Sequence, residues 1–150
     1  DHLDLASILD SLGNMEDDRG NYQNAMDYFE ESLRIKKLNL DHTCEEVATT
    51  LCSIAFVHGN QGDENSALKY LDEALQIRKL SLGVDHDLVG DTLNNIGYLY
   101  CVLNNYDNAV ENLWEALRIR KLNKKFEKVA GTLNNLGNVH KTMGEYPMAI

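Results

Sequence analysis

The sequence predicts an all-α fold that repeats a pair of antiparallel helices, helix A and helix B, about three and a half times. One sequence pattern recurs after 42, 42 and 40 residues, starting at Leu9, Leu51, Leu93 and Leu133. A series of glycine or asparagine follows it at the same spacing, at Gly20, Gly62, Asn104 and Gly144. Repetition with a period of roughly 20–50 residues is typical of helical repeat arrays. The single proline and ten glycines also disfavour a loop-rich β fold.

The third unit shows how each repeat divides into two helices. Apolar and small residues recur at helical spacing in helix A, at Val89, Leu93, Ile96, Gly97 and Tyr100. Asn104 then stands where a left-handed residue would end the helix. Helix B follows, with a polar start and a basic end that suit the helix dipole. We expect one domain over residues 1–150, with repeats at about 5–46, 47–88 and 89–128 and a truncated one at 129–150. Pro147 is predicted to lie in the first turn of the fourth helix B.

A small residue lies in the middle of every helix A, at Gly13, Ala55, Gly97 and Gly137. Glycine inside a helix costs about 0.5–1 kcal/mol relative to alanine. The recurrence of this cost at one position predicts a close approach between helix A and the small residue of helix B.

Composition disfavours several classes of function. The net charge is −10, which makes nucleic acid a poor partner. No apolar stretch approaches the roughly 18 residues of a membrane span. The three cysteines have no CxxC spacing, so we expect reduced thiols and a cytoplasmic protein. The histidines lack metal-ligand spacing, and neither a phosphate loop nor a nucleophile elbow is present. We therefore predict no catalytic residues, no metal and no cofactor.

The repeats resemble the tetratricopeptide repeat (TPR) family. Leu93, Ile96, Gly97 and Tyr100 match the hallmark of its helix A, although Glu16, His58 and His140 replace the tyrosine in the other units. The 42-residue period and the linker over residues 80–86 resemble the kinesin light chain type of repeat. The resemblance implies a TPR solenoid, a right-handed α-α superhelix in which helix A lines a concave groove.

The same resemblance implies a protein or peptide partner in that groove. The candidate groove residues are Asn14, Phe56, Asp91, Asn94, Asn95, Tyr98, Asn134, Asn135 and Asn138. Asparagine both donates and accepts hydrogen bonds, as pairing with a peptide backbone requires, and it is a mediocre helix former. We favour ligand binding for Asn95 and Asn135. For the other asparagines, bonding between neighbouring helices is an equal alternative, as packing between repeats is for Phe56.

Charge suggests the kind of ligand. Asp10, Asp17 and Asp91 are predicted on the groove surface, where the only basic residue is Lys141, so we expect a neutral or basic extended peptide with apolar anchors. The alternative is a regulatory module that controls a catalytic domain elsewhere in a longer protein. Self-association through exposed terminal repeats is also open.

Two further features lie outside the groove. The basic runs at residues 34–37, 78–79 and 118–121 predict a basic ridge at the ends of the B helices. Trp114 replaces Glu30 and Asp72 of the other units, and we expect it to pack beneath the short third linker.

Overall fold

The computed structural model describes residues 2–144, and this part of the chain is all-α, as predicted. The helices are α1 (His2–Asp18), α2 (Tyr22–Asn39), α3 (Glu45–Asn60), α4 (Glu64–Leu82), α5 (Asp87–Val102), α6 (Tyr106–Leu122) and α7 (Phe126–Thr142). The odd-numbered elements are the predicted A helices, and α2, α4 and α6 are the B helices. The prediction for Pro147 lies outside the described residues. None of the described helices is long and apolar enough to cross a bilayer.

The chain divides into two compact units, residues 1–81 and 82–150, here called the N-terminal unit and the C-terminal unit. In the N-terminal unit, Phe29 of α2 packs with Ile54 and Val57 of α3. Leu51 of α3 lies in a second cluster with Ala74 of α4. Each helix therefore buries apolar residues against its neighbours, as expected for stacked helix pairs.

The C-terminal unit has the same construction. Leu113 and Leu117 of α6 are fully buried against Leu136 and Val139 of α7. On the other side of α6, Gly90 of α5 lies against the side chain of Ile119 and the α6 backbone. Helix B is thus enclosed by the A helices of its own repeat and of the next one.

Each helix A is followed by one residue whose backbone is in the left-handed region, as predicted. The φ angles of the four turn residues are 77° at Gly20, 77° at Gly62, 58° at Asn104 and 80° at Gly144. In the first turn the next amide, that of Asn21, donates to the carbonyl of Glu16 at 2.8 Å. This bond is the six-to-one bond of the Schellman motif, which satisfies carbonyls at the helix end.

The small residues of helix A pack differently from the prediction. A methyl group placed on Gly13 would lie 2.7 Å from the Phe29 ring, and one placed on Gly97 would lie 2.7 Å from Leu113 Cγ. Phe29 and Leu113 are large residues, four positions after the small residue of helix B. The small residue Ala109 contributes only its carbonyl oxygen, 3.2 Å away. The close approach is real, but the large side chain takes up the space that glycine leaves.

Candidate functional site

One face of every helix A displays side chains at positions i, i+4, i+7 and i+11. On α5 these are Asp91, Asn95, Tyr98 and Val102, which we call the α5 stripe. The ring of Tyr98 is 55% exposed. The equivalent residues of α7 are Gly131, Asn135, Asn138 and Thr142, the α7 stripe. Helices α5 and α7 are in contact, so the two stripes are neighbours in the C-terminal unit.

The N-terminal unit carries equivalent stripes on α1 and α3. The α1 stripe is Ser7, Ser11, Asn14 and Asp18, all exposed, and the α3 stripe is Thr49, Ser53, Phe56 and Asn60. Phe56 is 63% exposed. Asn60 Nδ2 donates to Asp17 Oδ1 at 3.0 Å, which joins α3 to α1 at one end of the face. Asn14 and Phe56 are thus both accessible in this unit.

The asparagines of the C-terminal unit fall into two groups. Asn95, Asn134 and Asn138 are exposed, and no hydrogen bond of their side chains occurs within residues 2–144. Asn135 is partly buried, and its Nδ2 donates to Asn94 Oδ1 at 3.4 Å. Asn94 therefore joins neighbouring helices. Of the two residues favoured for binding, Asn95 faces solvent, whereas Asn135 is partly used within the protein.

A buried arginine lies beneath the α5 stripe. Arg120, at the end of α6, is only 7% exposed. Its guanidinium donates to Asp91 at 2.9 Å, to Asn94 at 3.2 Å and to the hydroxyl of Thr132 on α7. One cation thereby fixes α5, α6 and α7 at a single point.

A second cation completes this cluster. Lys128 Nζ lies 2.8 Å from Asp87 Oδ2 and 2.7 Å from Asp91 Oδ2. Burial lowers the pKa of the Lys128 ammonium, but the hydrogen bonds to the two carboxylates outweigh that effect and raise it. The carboxylate of Asp91 is consequently shared by two cations.

The N-terminal unit has corresponding cations. Lys36 Nζ lies 2.5 Å from Asp10 Oδ2 and 2.7 Å from Thr50 Oγ1 of the next helix A. Arg78 Nη2 pairs with Glu45 at 3.1 Å. Lys36 and Arg78 are 6% and 7% exposed.

The predicted basic ridge is therefore wrong for Lys36, Arg78 and Arg120, which are buried ion-pair partners rather than surface charges. Sequence reasoning missed them because it treated each basic run as a whole. The signal that would have found them is the 42-residue recurrence of one cation in each run, with a threonine 14, 14 and 12 residues later.

These ion pairs change the charge argument for the ligand. Asp10 and Asp91 were expected to repel acidic peptides, but each is paired with a buried cation. Asp17 accepts a hydrogen bond from a neutral amide and keeps its charge unpaired there. The negative charge facing a ligand is thus smaller than the sequence suggests, particularly at the α5 stripe.

Two of the residues that replace the family tyrosine form contacts within the protein, and Trp114 is partly exposed. Glu16, in the place of the family tyrosine, accepts hydrogen bonds from Asn21 and Asn24. His58 stacks on Tyr70 with the ring centroids 5.4 Å apart. Trp114 is 47% exposed, so the expected packing beneath the third linker is at most partial.

Within residues 2–144, no three His, Cys, Asp or Glu side chains are grouped as metal ligands. All three cysteines are free thiols. A hydrogen bond with Glu46 raises the pKa of the Cys44 thiol, and burial raises that of Cys101. Both effects reduce the fraction of reactive thiolate.

Comparison with protein families gives matches over most of the chain. One model, described as tetratricopeptide repeat, matches residues 46–122. A second model with the same description matches residues 5–43 and 129–150. No curated protein sequence matches significantly.

Several solved structures are similar to the chain over 99% of its length. The structure of BtubC (BKLC) from P. vanneervenii has a TM-score of 0.91 and 27% identity, and the chain spans 60% of it. Kinesin light chain-like repeats from Podosopora anserina have a TM-score of 0.85 and 16% identity, with 71% of that chain covered. Aspartyl phosphate phosphatase F from Bacillus subtilis has a TM-score of 0.90 and 15% identity, with 38% covered.

Proposed function

Since the chain belongs to the tetratricopeptide repeat family, whose repeats are protein-interaction scaffolds, we propose that its helix A stripes bind an extended peptide segment of a partner protein. Each stripe is accessible to solvent, while the opposite side of helix A packs against helix B. Such a surface is rigid before the ligand arrives, so little conformational entropy is lost on binding.

The observation that carries this proposal is that exposed amide side chains and an exposed aromatic ring lie on the same face of the C-terminal unit. Asn95 and Asn138 lie on neighbouring helices, and each can donate to and accept from a peptide bond. Tyr98 lies one turn from Asn95 and presents an apolar ring with a polar end. The Arg120 cluster beneath them fixes the spacing of α5 and α7.

The ligand that we propose is neutral or basic and carries apolar anchors. Aromatic residues are typical anchors of interfaces, and Tyr98 and, in the other unit, Phe56 offer such contacts. The net charge of −10 favours association with basic partners through long-range attraction. The free thiols fit a reducing compartment, and the cytoplasm is the location that we propose.

A displayed library of random 12-residue peptides tests the proposal. We expect the enriched peptides whose binding depends on the stripes to be neutral or basic and to contain large apolar residues. Asn95→Ala and Tyr98→Ala should each weaken their binding about 10-fold, measured by fluorescence anisotropy, because about 1.4 kcal/mol of contact is lost. Matched controls are Asn65→Ala on α4 and Trp114→Ala on α6, which change the same kinds of exposed residue on a helix B.

Two results would contradict the proposal. If the stripe variants and the matched controls lose peptide affinity equally, the stripe is not the binding surface. Acidic peptides whose capture depends on Tyr98 would overturn the proposed charge. If no peptide is enriched and the chain sediments as a dimer, a second copy of the chain occupies the surface. If no peptide is enriched and the chain is a monomer, the result favours a module that regulates a catalytic domain elsewhere in a longer protein.

A further inference from the structure

The loop between α6 and α7 brings exposed cations and exposed apolar side chains together. Lys121, Leu122, Lys124, Lys125 and Phe126 form this group, which we call the basic corner. Leu122 is 58% exposed and Phe126 is 68% exposed. Lys121 and Lys124 are exposed and form no ion pair within the described residues, while Lys125 Nζ lies 3.9 Å from Asp87 Oδ2. The corner does not overlap the stripes of the proposed peptide site.

The backbone of Lys124 is in the left-handed region, with φ 56°. The linker before α5 has Gly83 in that region, with φ 90°. A side chain there costs conformational energy that glycine avoids. Strained residues other than glycine concentrate at functional sites. Lys124 adopts this conformation at the end of α6 although its side chain forms no ion pair within residues 2–144.

Most of the carboxylates around the corner are already paired with other cations. Arg118 pairs with Asp85 at 2.5 Å and with Glu115 at 2.7 Å. Lys128 lies between Asp87 and Asp91, as described above. In the segment 121–128, the sequence has one acidic residue, Glu127, against four lysines.

The loop is also held in place. Asn123 Nδ2 donates to the carbonyl of Asp85 in the preceding linker at 2.7 Å and to the carbonyl of Ile119 at 2.9 Å. The amide of Lys125 donates to the carbonyl of Arg120 at 2.9 Å. The cations and the apolar side chains thus project from a fixed backbone.

We infer that the basic corner is a docking surface for an acidic protein segment that carries a large apolar side chain. Lys121 and Lys124 match the negative charge, and Leu122 and Phe126 match the apolar side chain. An extended anionic surface such as a membrane fits less well, because the C-terminal unit as a whole has no net positive charge, with eight carboxylates against seven cations. A short acidic segment can contact the corner alone, since charges are screened beyond about 8 Å at physiological salt.

The same 12-residue peptide library tests this inference on a separate class of sequences. The wild-type chain should enrich acidic peptides with Leu, Phe or Trp, and Lys121→Glu with Lys124→Glu should reduce their capture at least 10-fold. The control, Lys69→Glu with Lys79→Glu, has the same total charge and should retain them. Phe126→Ser should lose these peptides, whereas Phe56→Ser, in the α3 stripe, should keep them.

A glycine variant separates docking from a purely structural role. Lys124→Gly should raise the urea midpoint because it relieves the left-handed strain, and it should weaken the capture of acidic peptides. Unchanged capture in Lys124→Gly and in the double glutamate variant would overturn the inference. Corner-dependent binding to phosphatidylserine vesicles, without capture of acidic peptides, would overturn it in favour of lipid. Neither result affects the α5 stripe, whose peptides depend on Asn95 and Tyr98.

Discussion

At the scale of the residue, replacing glycine by alanine is expected to change the free energy of unfolding in opposite directions at two positions in the A helices of the C-terminal unit. Gly97→Ala would place a methyl group 2.7 Å from Cγ of Leu113, which is fully buried and has little room to move. We expect a loss of about 1–3 kcal/mol from overpacking. Gly131 has no atom within 4 Å of the added group, so Gly131→Ala should stabilise by about 0.4–1 kcal/mol. Urea unfolding measures both, and the same sign in both would contradict the packing described here.

The arginines at the end of α6 give a second prediction at this scale. Arg120→Met removes a buried cation that holds Asp91, Asn94 and Thr132, and we expect a loss of about 3 kcal/mol. Arg118→Met removes an exposed cation that is paired only with carboxylates, and should destabilise the chain much less than Arg120→Met does, because solvent screens these pairs. Equal unfolding midpoints for the two variants would show that the buried cluster does not stabilise the C-terminal unit.

At the scale of the element, the turn from α1 to α2 depends on pH. Hydrogen bonds from Asn21 and Asn24, with a further one from Arg19, hold the pKa of Glu16 below its usual value of 4.5. A lowered pKa in the folded state means that the stabilisation is present above about pH 4.5 and is lost as the pH falls through the lower value.

We therefore expect Glu16→Gln to be less stable than the wild type at pH 7 and to approach it at pH 3. Urea midpoints at the two pH values measure the difference. The control, Glu30→Gln, removes an exposed carboxylate on α2 that has no hydrogen-bond partner within residues 2–144, and should show no such change. A difference for Glu16→Gln that persists at pH 3 would show that size, not charge, is what the turn requires.

The helices and turns could be predicted because their causes are local. Asn104 occupies the left-handed position because a 42-residue register places it where the other units have glycine. The ion pairs could not be predicted in this way. Arg120 finds its partners 29 and 26 residues earlier and 12 residues later, on two different helices. Only the packed structure shows that a cation in a basic run points inward.

The candidate site was predictable to the same extent. Helical periodicity places Asn95 and Asn135 at equivalent positions of two A helices, and both lie on the predicted face. Periodicity does not show that Asn135 donates to Asn94, because that bond depends on the separation of α5 and α7. The sequence therefore identifies the face, and the packing decides which of its amides remain free for a ligand.

At the scale of the whole molecule, a repeat array opens locally because each repeat is stabilised mainly by its own interface and its nearest neighbours. Gly13→Ala would place a methyl group 2.7 Å from Phe29 in the N-terminal unit, as Gly97→Ala does at Leu113 in the C-terminal unit. We expect amide hydrogen exchange to rise in α1 and α2 for the first variant and in α5 and α6 for the second. Exchange measured by mass spectrometry tests this, with Gly131→Ala as the control. A uniform rise over all described helices in both variants would show that the chain unfolds as one cooperative body.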